Sequence, residues 1–141
     1  VEQLDTIIAA YPNVADEPGG NLLPMLHGVQ AAFGHVSEDA IRAVAAALNL
    51  SRAEVHGVVS FYHDFRDAPD ARPVIKLCRA EACQARGADA LAALLPDQDR
   101  VQIETVYCLG LCSVGPNALV GERPYARLDA AKFAALVEQA R

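Results

Sequence analysis

No run of apolar residues in this chain approaches the length needed to span a bilayer, and its start lacks the basic region and hydrophobic run of a secretory leader. A cytoplasmic protein without a membrane span is therefore expected. Cysteine is missing from the whole first half, with all four residues falling between positions 78 and 112. They do not form the Cys-x-x-Cys spacing of a redox disulfide, and a chain without a leader belongs in a reducing compartment. Also missing are a nucleophile–base pair, a phosphate-cradling glycine loop and a paired-carboxylate site, so no substrate pocket is expected on this chain. Basic residues are scarce where nucleic acid would need them, since residues 1–71 carry three Arg against ten acids. The two short helices expected around Asn49-Leu-Ser51 could suggest a helix-turn-helix. An acidic surface would repel phosphates, so a nucleic-acid partner is not expected.

The rest of the composition is that of a folded protein, with 52% hydrophobic and 21% charged residues in 141. Residues 1–71 read as an N-terminal helical bundle. Glu2 to Ala10 form a short helix stopped by Pro12, and residues 16–21 form a loop. Asn21 is placed to cap a second helix, with Leu22, Leu26, Val29 and Phe33 as its buried stripe and Gly34 as its end. Ser37 opens a third helix with an acidic first turn, Glu38-Asp39, and an apolar face of Ile41, Val44, Ala45 and Leu48. Ser51-Arg-Ala-Glu54 has the form of a capping box for a fourth. Phe61, Tyr62 and Phe65 suit either a core position or an interface anchor. His27, His35, His56 and His63 lie outside the cysteine loops and read as surface or hydrogen-bonded residues.

Residues 72–141 read differently. Pro73-Val-Ile-Lys-Leu-Cys78 is a short β-branched run, and Arg100 to Tyr107 alternates at period two, while Leu91, Leu94 and Leu95 between them recur at helical spacing. Strand, helix, strand predicts a βαβ unit with parallel strands sharing one carboxyl edge. Cys78 ends the first strand and Cys108 follows the second, so the pairs Cys78-x4-Cys83 and Cys108-x3-Cys112 are expected to meet at that edge. A hairpin turning at Gly121-Glu122 and a last helix capped by Asp129, with Phe133, Leu136, Val137 and Ala140 on one face, complete the pattern.

Three chemistries use such thiols: a zinc site, a disulfide and a [2Fe-2S] cluster. The spacings suit zinc, and an interaction module stabilised by zinc on four cysteines stays open on them alone. Gly110 and Gly115 flank Cys112 and let backbone N–H groups approach sulfur, which favours a cluster. Arg79 and Arg86 read either as surface groups or as cations offsetting thiolate charge or meeting an acidic partner.

Cys78-Arg-Ala-Glu-Ala-Cys83-Gln-Ala-Arg-Gly87 and Tyr107-Cys-Leu-Gly-Leu-Cys-Ser-Val-Gly-Pro116 resemble the thioredoxin-like [2Fe-2S] ferredoxin family, which includes the 24 kDa-type subunit of NADH dehydrogenase. Phe33 to Ile41 and Val55 to Tyr62 resemble that family's helical amino-terminal region, so the similarity covers nearly the whole chain. The resemblance implies an α+β protein, with an N-terminal helical bundle (1–71) followed by a thioredoxin-like α/β domain (72–141). It also implies Cys78, Cys83, Cys108 and Cys112 as ligands of one [2Fe-2S] cluster, next to a partner subunit that binds FMN and NAD(H). The run Phe61-Tyr-His-Asp-Phe-Arg66 and the compact length look most like the gamma subunit of a molybdenum-containing, NAD-dependent formate dehydrogenase. That likeness implies a large catalytic partner with a molybdenum cofactor, in a complex converting formate and NAD to carbon dioxide and NADH. The equivalent subunit of an NADH:quinone oxidoreductase or of an NAD-reducing hydrogenase is the alternative. Respiratory members commonly place Glu before the third ligand and Ala before the fourth, where this chain has Tyr107 and Leu111.

Overall fold

The computed structural model describes residues 2–12, 19–94 and 100–140. The chain divides into two compact units, Val1–Ala71 and Arg72–Arg141. Among the described residues, no helix is long and apolar enough to cross a membrane.

Among the described residues the regular elements of the first unit are helices: α1 (Glu2–Ala9), α2 (Leu22–Phe33), α3 (Glu38–Leu48) and α4 (Arg52–Phe61). Apolar residues three, four and seven apart put Leu22, Met25, Leu26 and Val29 on one face of α2, and Ile41, Val44, Ala45 and Leu48 on one face of α3. These faces pack with Val36, Val55, Val59 and Phe65 into a single core. Burying each of these larger side chains favours folding by about 1.5–3 kcal/mol relative to exposure.

Helix ends follow the sequence with one exception. Ser37 Oγ accepts from Ala40 N at 3.2 Å, Ser51 and Glu54 form the reciprocal capping box, and Gly34 closes α2 at φ 76°. Asn21 occupies the cap position of α2, but its side chain makes no cap bond and instead donates to Pro12 O at 2.6 Å. Phe33, expected in the buried stripe, is exposed at the last turn of α2, and Met25 fills the core in its place. Residues 16–18 of the expected loop lie outside the described residues.

The second unit holds a four-stranded sheet in the order β2-β1-β3-β4. Its elements are β1 (Val74–Cys78), helices α5 (Glu81–Ala85) and α6 (Ala88–Ala93), β2 (Gln102–Val106), a 3-10 turn (Cys112–Val114), β3 (Ala118–Val120), β4 (Arg123–Tyr125) and α7 (Ala130–Ala140). β1 and β2 are parallel, with Val74 opposite Gln102 and Cys78 opposite Val106. The β3–β4 hairpin joins the other side of β1 antiparallel, turning at Gly121-Glu122. Ile75 and Leu77 point to one face and are fully buried with Leu91, Phe133, Leu136 and Val137. Val74 and Lys76, on the opposite face, are half-buried.

Asp129 Oδ1 accepts from Lys132 N at 2.8 Å and caps α7. Among the described residues the crossover between β1 and β2 holds not one helix but two, broken at Gly87, whose φ of 96° suits a residue without a Cβ. Leu91 from the expected helical stripe is buried and Leu94 exposed, while Leu95 lies outside the described residues. The molecule is thus α+β, helices first and mixed sheet second.

Candidate metal centre

Parallel pairing of β1 with β2 brings the two thiol pairs to one edge. Cys78 is the last residue of β1, opposite Val106, so Cys108 emerges two residues beyond the same edge. Cys108 sits at φ 71°, an unusual region for a residue with a side chain. The turn points its backbone N–H at Cys78 Sγ, at 3.3 Å. Cys83 lies in α5, which begins three residues after β1 ends, and Cys112 opens the 3-10 turn that follows β2. Cys108 Sγ and Cys112 Sγ are 3.5 Å apart, and the Cys78 and Cys83 thiols are near enough to influence each other's ionisation. All four cysteines are free thiols, Cys78 and Cys83 buried and Cys108 and Cys112 exposed.

Their ionisation reflects the crowding. For Cys78, burial is the largest single influence and favours the neutral thiol, but N–H groups of Ala80, Cys108 and Leu109, with the Cys83 thiol, outweigh it and bring the pKa below the ordinary value. Burial, then the hydrogen bond with Cys78, pushes Cys83 up. The hydrogen bond and charge of Cys108 push Cys112 up. Four thiolates at one edge repel one another, so full ionisation calls for a cationic centre between them.

Among the described residues, no three His, Cys, Asp or Glu side chains gather tightly around a single point. The thiols lie as two pairs, Cys78 with Cys83 and Cys108 with Cys112. The surroundings also suit sulfur. Gly115 is buried, and a Cβ there would sit 3.0 Å from Cys83 Sγ, so glycine leaves room for that atom. Asn117 is buried and its Nδ2 donates to Leu111 O at 2.9 Å and approaches Cys83 Sγ at 3.5 Å. Sequence reasoning passes over Asn117, whose only signal is a polar residue directly before the short strand β3.

The other expected residues behave variously. Arg79 Nε is 2.8 Å from Asp89 Oδ1, an ion pair within the second unit. Arg86 Nη1 donates to Ser113 O at 2.9 Å and so braces the turn after Cys112. Gly110 has φ 77° and open space where a Cβ would go. The histidines all lie in the first unit. His27 stacks on Phe65 at 4.8 Å, His35 Nδ1 is 3.0 Å from Phe33 O, and His56 and His63 line a cavity of about 410 Å³. Phe61 is 73% exposed and Tyr62 43%, whereas Phe65 is in the core.

Free thiols paired at the carboxyl edge of a small mixed sheet, with N–H donors aimed at sulfur, define the class of thioredoxin-like cluster-binding proteins. Residues 4–141 match the thioredoxin-like [2Fe-2S] ferredoxin family, and the chain belongs to it. It is 32% identical over 117 residues to the HndA subunit of an NADP-reducing hydrogenase from Solidesulfovibrio fructosivorans, covering 75% of this chain and 68% of that protein. It is 30% identical to a subunit of an NADH-quinone oxidoreductase from Rhizobium meliloti, covering 99% of this chain and 88% of that one. The crystal structure of an NAD+-reducing [NiFe]-hydrogenase in the H2-reduced state superimposes with a TM-score of 0.70 at 30% identity, over 87% of this chain. This chain spans 22% of the hydrogenase chain.

Proposed function

We propose that Cys78, Cys83, Cys108 and Cys112 hold one [2Fe-2S] cluster, and that the chain is an electron-transfer subunit beside a subunit binding FMN and NAD(H). The observation that carries this reading is the meeting of two sequence-distant thiol pairs at one sheet edge. When bound, the cluster supplies one-electron chemistry through the valence change of its irons. The residues of the chain do the rest. The two buried thiols are shielded from water, and the N–H groups around Cys78 stabilise negative sulfur. The two exposed thiols put the other side of the centre at the surface of the unit, where a partner's redox group can come close. In this reading residues 72–141 are the cluster domain, and residues 1–71, with exposed Phe61 and Tyr62, offer contacts to partner subunits.

Among parent complexes, we favour an NAD-dependent formate dehydrogenase with a large molybdenum-containing catalytic subunit. The Phe61 to Arg66 run supports it. The kinship with hydrogenase and NADH-quinone oxidoreductase subunits keeps those two complexes as the rival homes.

Electron paramagnetic resonance before and after anaerobic dithionite reduction, with iron and acid-labile sulfide measured on the same sample, tests the site. A signal appearing on reduction, with iron and sulfide equal at about two each per chain, is expected. One zinc without sulfide overturns the reading and leaves a zinc-stabilised interaction module. Molybdenum, nickel and flavin analysis of the complex purified from its native source decides the parent. Molybdenum with flavin is expected, and nickel, or flavin with neither metal, replaces the formate assignment.

A further inference from the structure

Asn117 is the single polar side chain fully buried among the described residues. Each of its polar groups faces the thiol loops or stands alone. Its backbone carbonyl accepts from Cys78 N at 3.0 Å. One N–H of its carboxamide is directed to Leu111 O at 2.9 Å, immediately before Cys112. The other is directed to Cys83 Sγ at 3.5 Å. Its Oδ1 is buried and has no protein partner.

That last fact separates the two roles Asn117 could play. The orphaned buried carbonyl is a cost of placing a carboxamide here. A carboxamide is justified at this position only through what its N–H groups do. One ties down the loop of the second thiol pair, and the other reaches a sulfur of the first pair. Cys78 Sγ has backbone donors from Ala80, Cys108 and Leu109, which no side-chain substitution removes. Cys83 Sγ differs. Its donors come from Asn117, a backbone N–H and the carboxamide at 3.5 Å, so part of that supply rests on a side chain.

We infer that Asn117 is a potential-setting residue, whose carboxamide N–H donates to Cys83 Sγ and stabilises the reduced form of a cluster held there. The inference rests on the cluster assignment proposed above. Reduction adds one electron, from dithionite in the assay, and no bond breaks and no proton moves. The added negative charge is shared with the ligand sulfurs, so an N–H dipole aimed at one of them favours the reduced form more than the oxidised one. Removing that donor makes the centre harder to reduce.

The test is a redox titration followed by electron paramagnetic resonance on the full chain, comparing wild type with Asn117→Leu and Asn117→Ser. Leucine keeps the branched outline but adds bulk, so serine, smaller and with a hydroxyl too short to replace the carboxamide, controls for overpacking. Wild-type protein is analysed first for iron and sulfide, and absence of both condemns the cluster assignment itself, independently of Asn117. With the wild type loaded, the variants are expected to keep equal iron and sulfide and to shift the reduction equilibrium about tenfold toward the oxidised form, a fall of about 59 mV for one electron. A midpoint unchanged in either loaded variant overturns the inference. So does failure of both variants to take up a cluster that the wild type holds, because Asn117 is then a folding residue and not a tuner.

Discussion

Two glycines near the same thiols do different physical work. At Gly115 the backbone is extended and a Cβ would press on Cys83 Sγ at 3.0 Å, whereas at Gly110 the space is open and the demand is a φ of 77°. Gly115→Ala should therefore displace a ligand sulfur, costing about 1–3 kcal/mol as overpacking does and altering the visible spectrum and iron content. Gly110→Ala should cost about 1–2 kcal/mol in left-handed strain and leave the spectrum of the loaded protein unchanged. Thermal unfolding with iron analysis of both variants checks this, and equal iron loss in the two would show that loop strain, not sulfur contact, governs assembly. These residues also mark how far the site is legible in a sequence. Four cysteines in two pairs, each after a strand, suffice to bring the pairs to one edge, because parallel pairing leaves no other place for them. The donors aimed at sulfur are a different matter. The N–H of Cys108 faces Cys78 only because Cys108 adopts a positive φ, and Asn117 reaches Cys83 across 34 positions of chain. Neither follows from spacing.

Element boundaries are legible where side chains act locally. Ser51 Oγ accepts from Glu54 N at 3.2 Å and Glu54 Oε2 accepts from Ser51 N at 2.8 Å, a reciprocal pattern readable in four residues. Asn21 has the same standing in the sequence, yet its amide donates to Pro12 O, an acceptor brought near by tertiary structure. The short helix α5 before Gly87 escapes a reading of the sequence because the helical spacing of Leu91, Leu94 and Leu95 marks only the part of the crossover after that glycine. For the capping box, Ser51→Ala should destabilise the protein by about 1 kcal/mol, read as a lower urea midpoint with an unchanged slope. Its pH dependence has a definite sign. The backbone N–H of Ser51 first, and its hydroxyl second, hold the Glu54 carboxyl below the ordinary glutamate range. A depressed folded-state pKa means stability is present above that ordinary range and lost as pH falls through the lower folded value. Glu54→Gln should flatten this part of the acid profile, and an acid limb identical to wild type would deny Glu54 any share in it.

At the scale of the whole molecule, the two units are held by different means. The first unit's core, Met25, Leu26, Val29, Val44, Leu48 and Val55 among others, contains no thiol. At the end of its α4, Phe61 is 73% exposed and edge-on to Tyr62 at 5.1 Å, an apolar anchor of the type that dominates interfaces. Phe61→Ala is expected to weaken association with the proposed flavin-binding subunit about tenfold or more without lowering the melting temperature, measured by co-purification and thermal unfolding. Unchanged association would mean that the partner binds elsewhere.

The second unit has a sheet core of Ile75, Leu77, Phe133 and Leu136, and apart from it a separate cluster of Cys78, Cys83 and Ala88 under the thiol loops. This smaller cluster contains two of the four proposed ligand residues, and in that reading ligand binding and local folding are linked there. Removing iron with a chelator under mild oxidation should therefore loosen the second unit selectively. Hydrogen exchange is expected to accelerate in residues 78–88 and 106–117, while α2 and α3 retain their protection. Thermal unfolding should correspondingly separate into two transitions, only one of which moves when the metal is removed. Loss of protection throughout α2 and α3 on iron removal would show instead that the two units unfold as one, and that the thiol centre stabilises the entire chain.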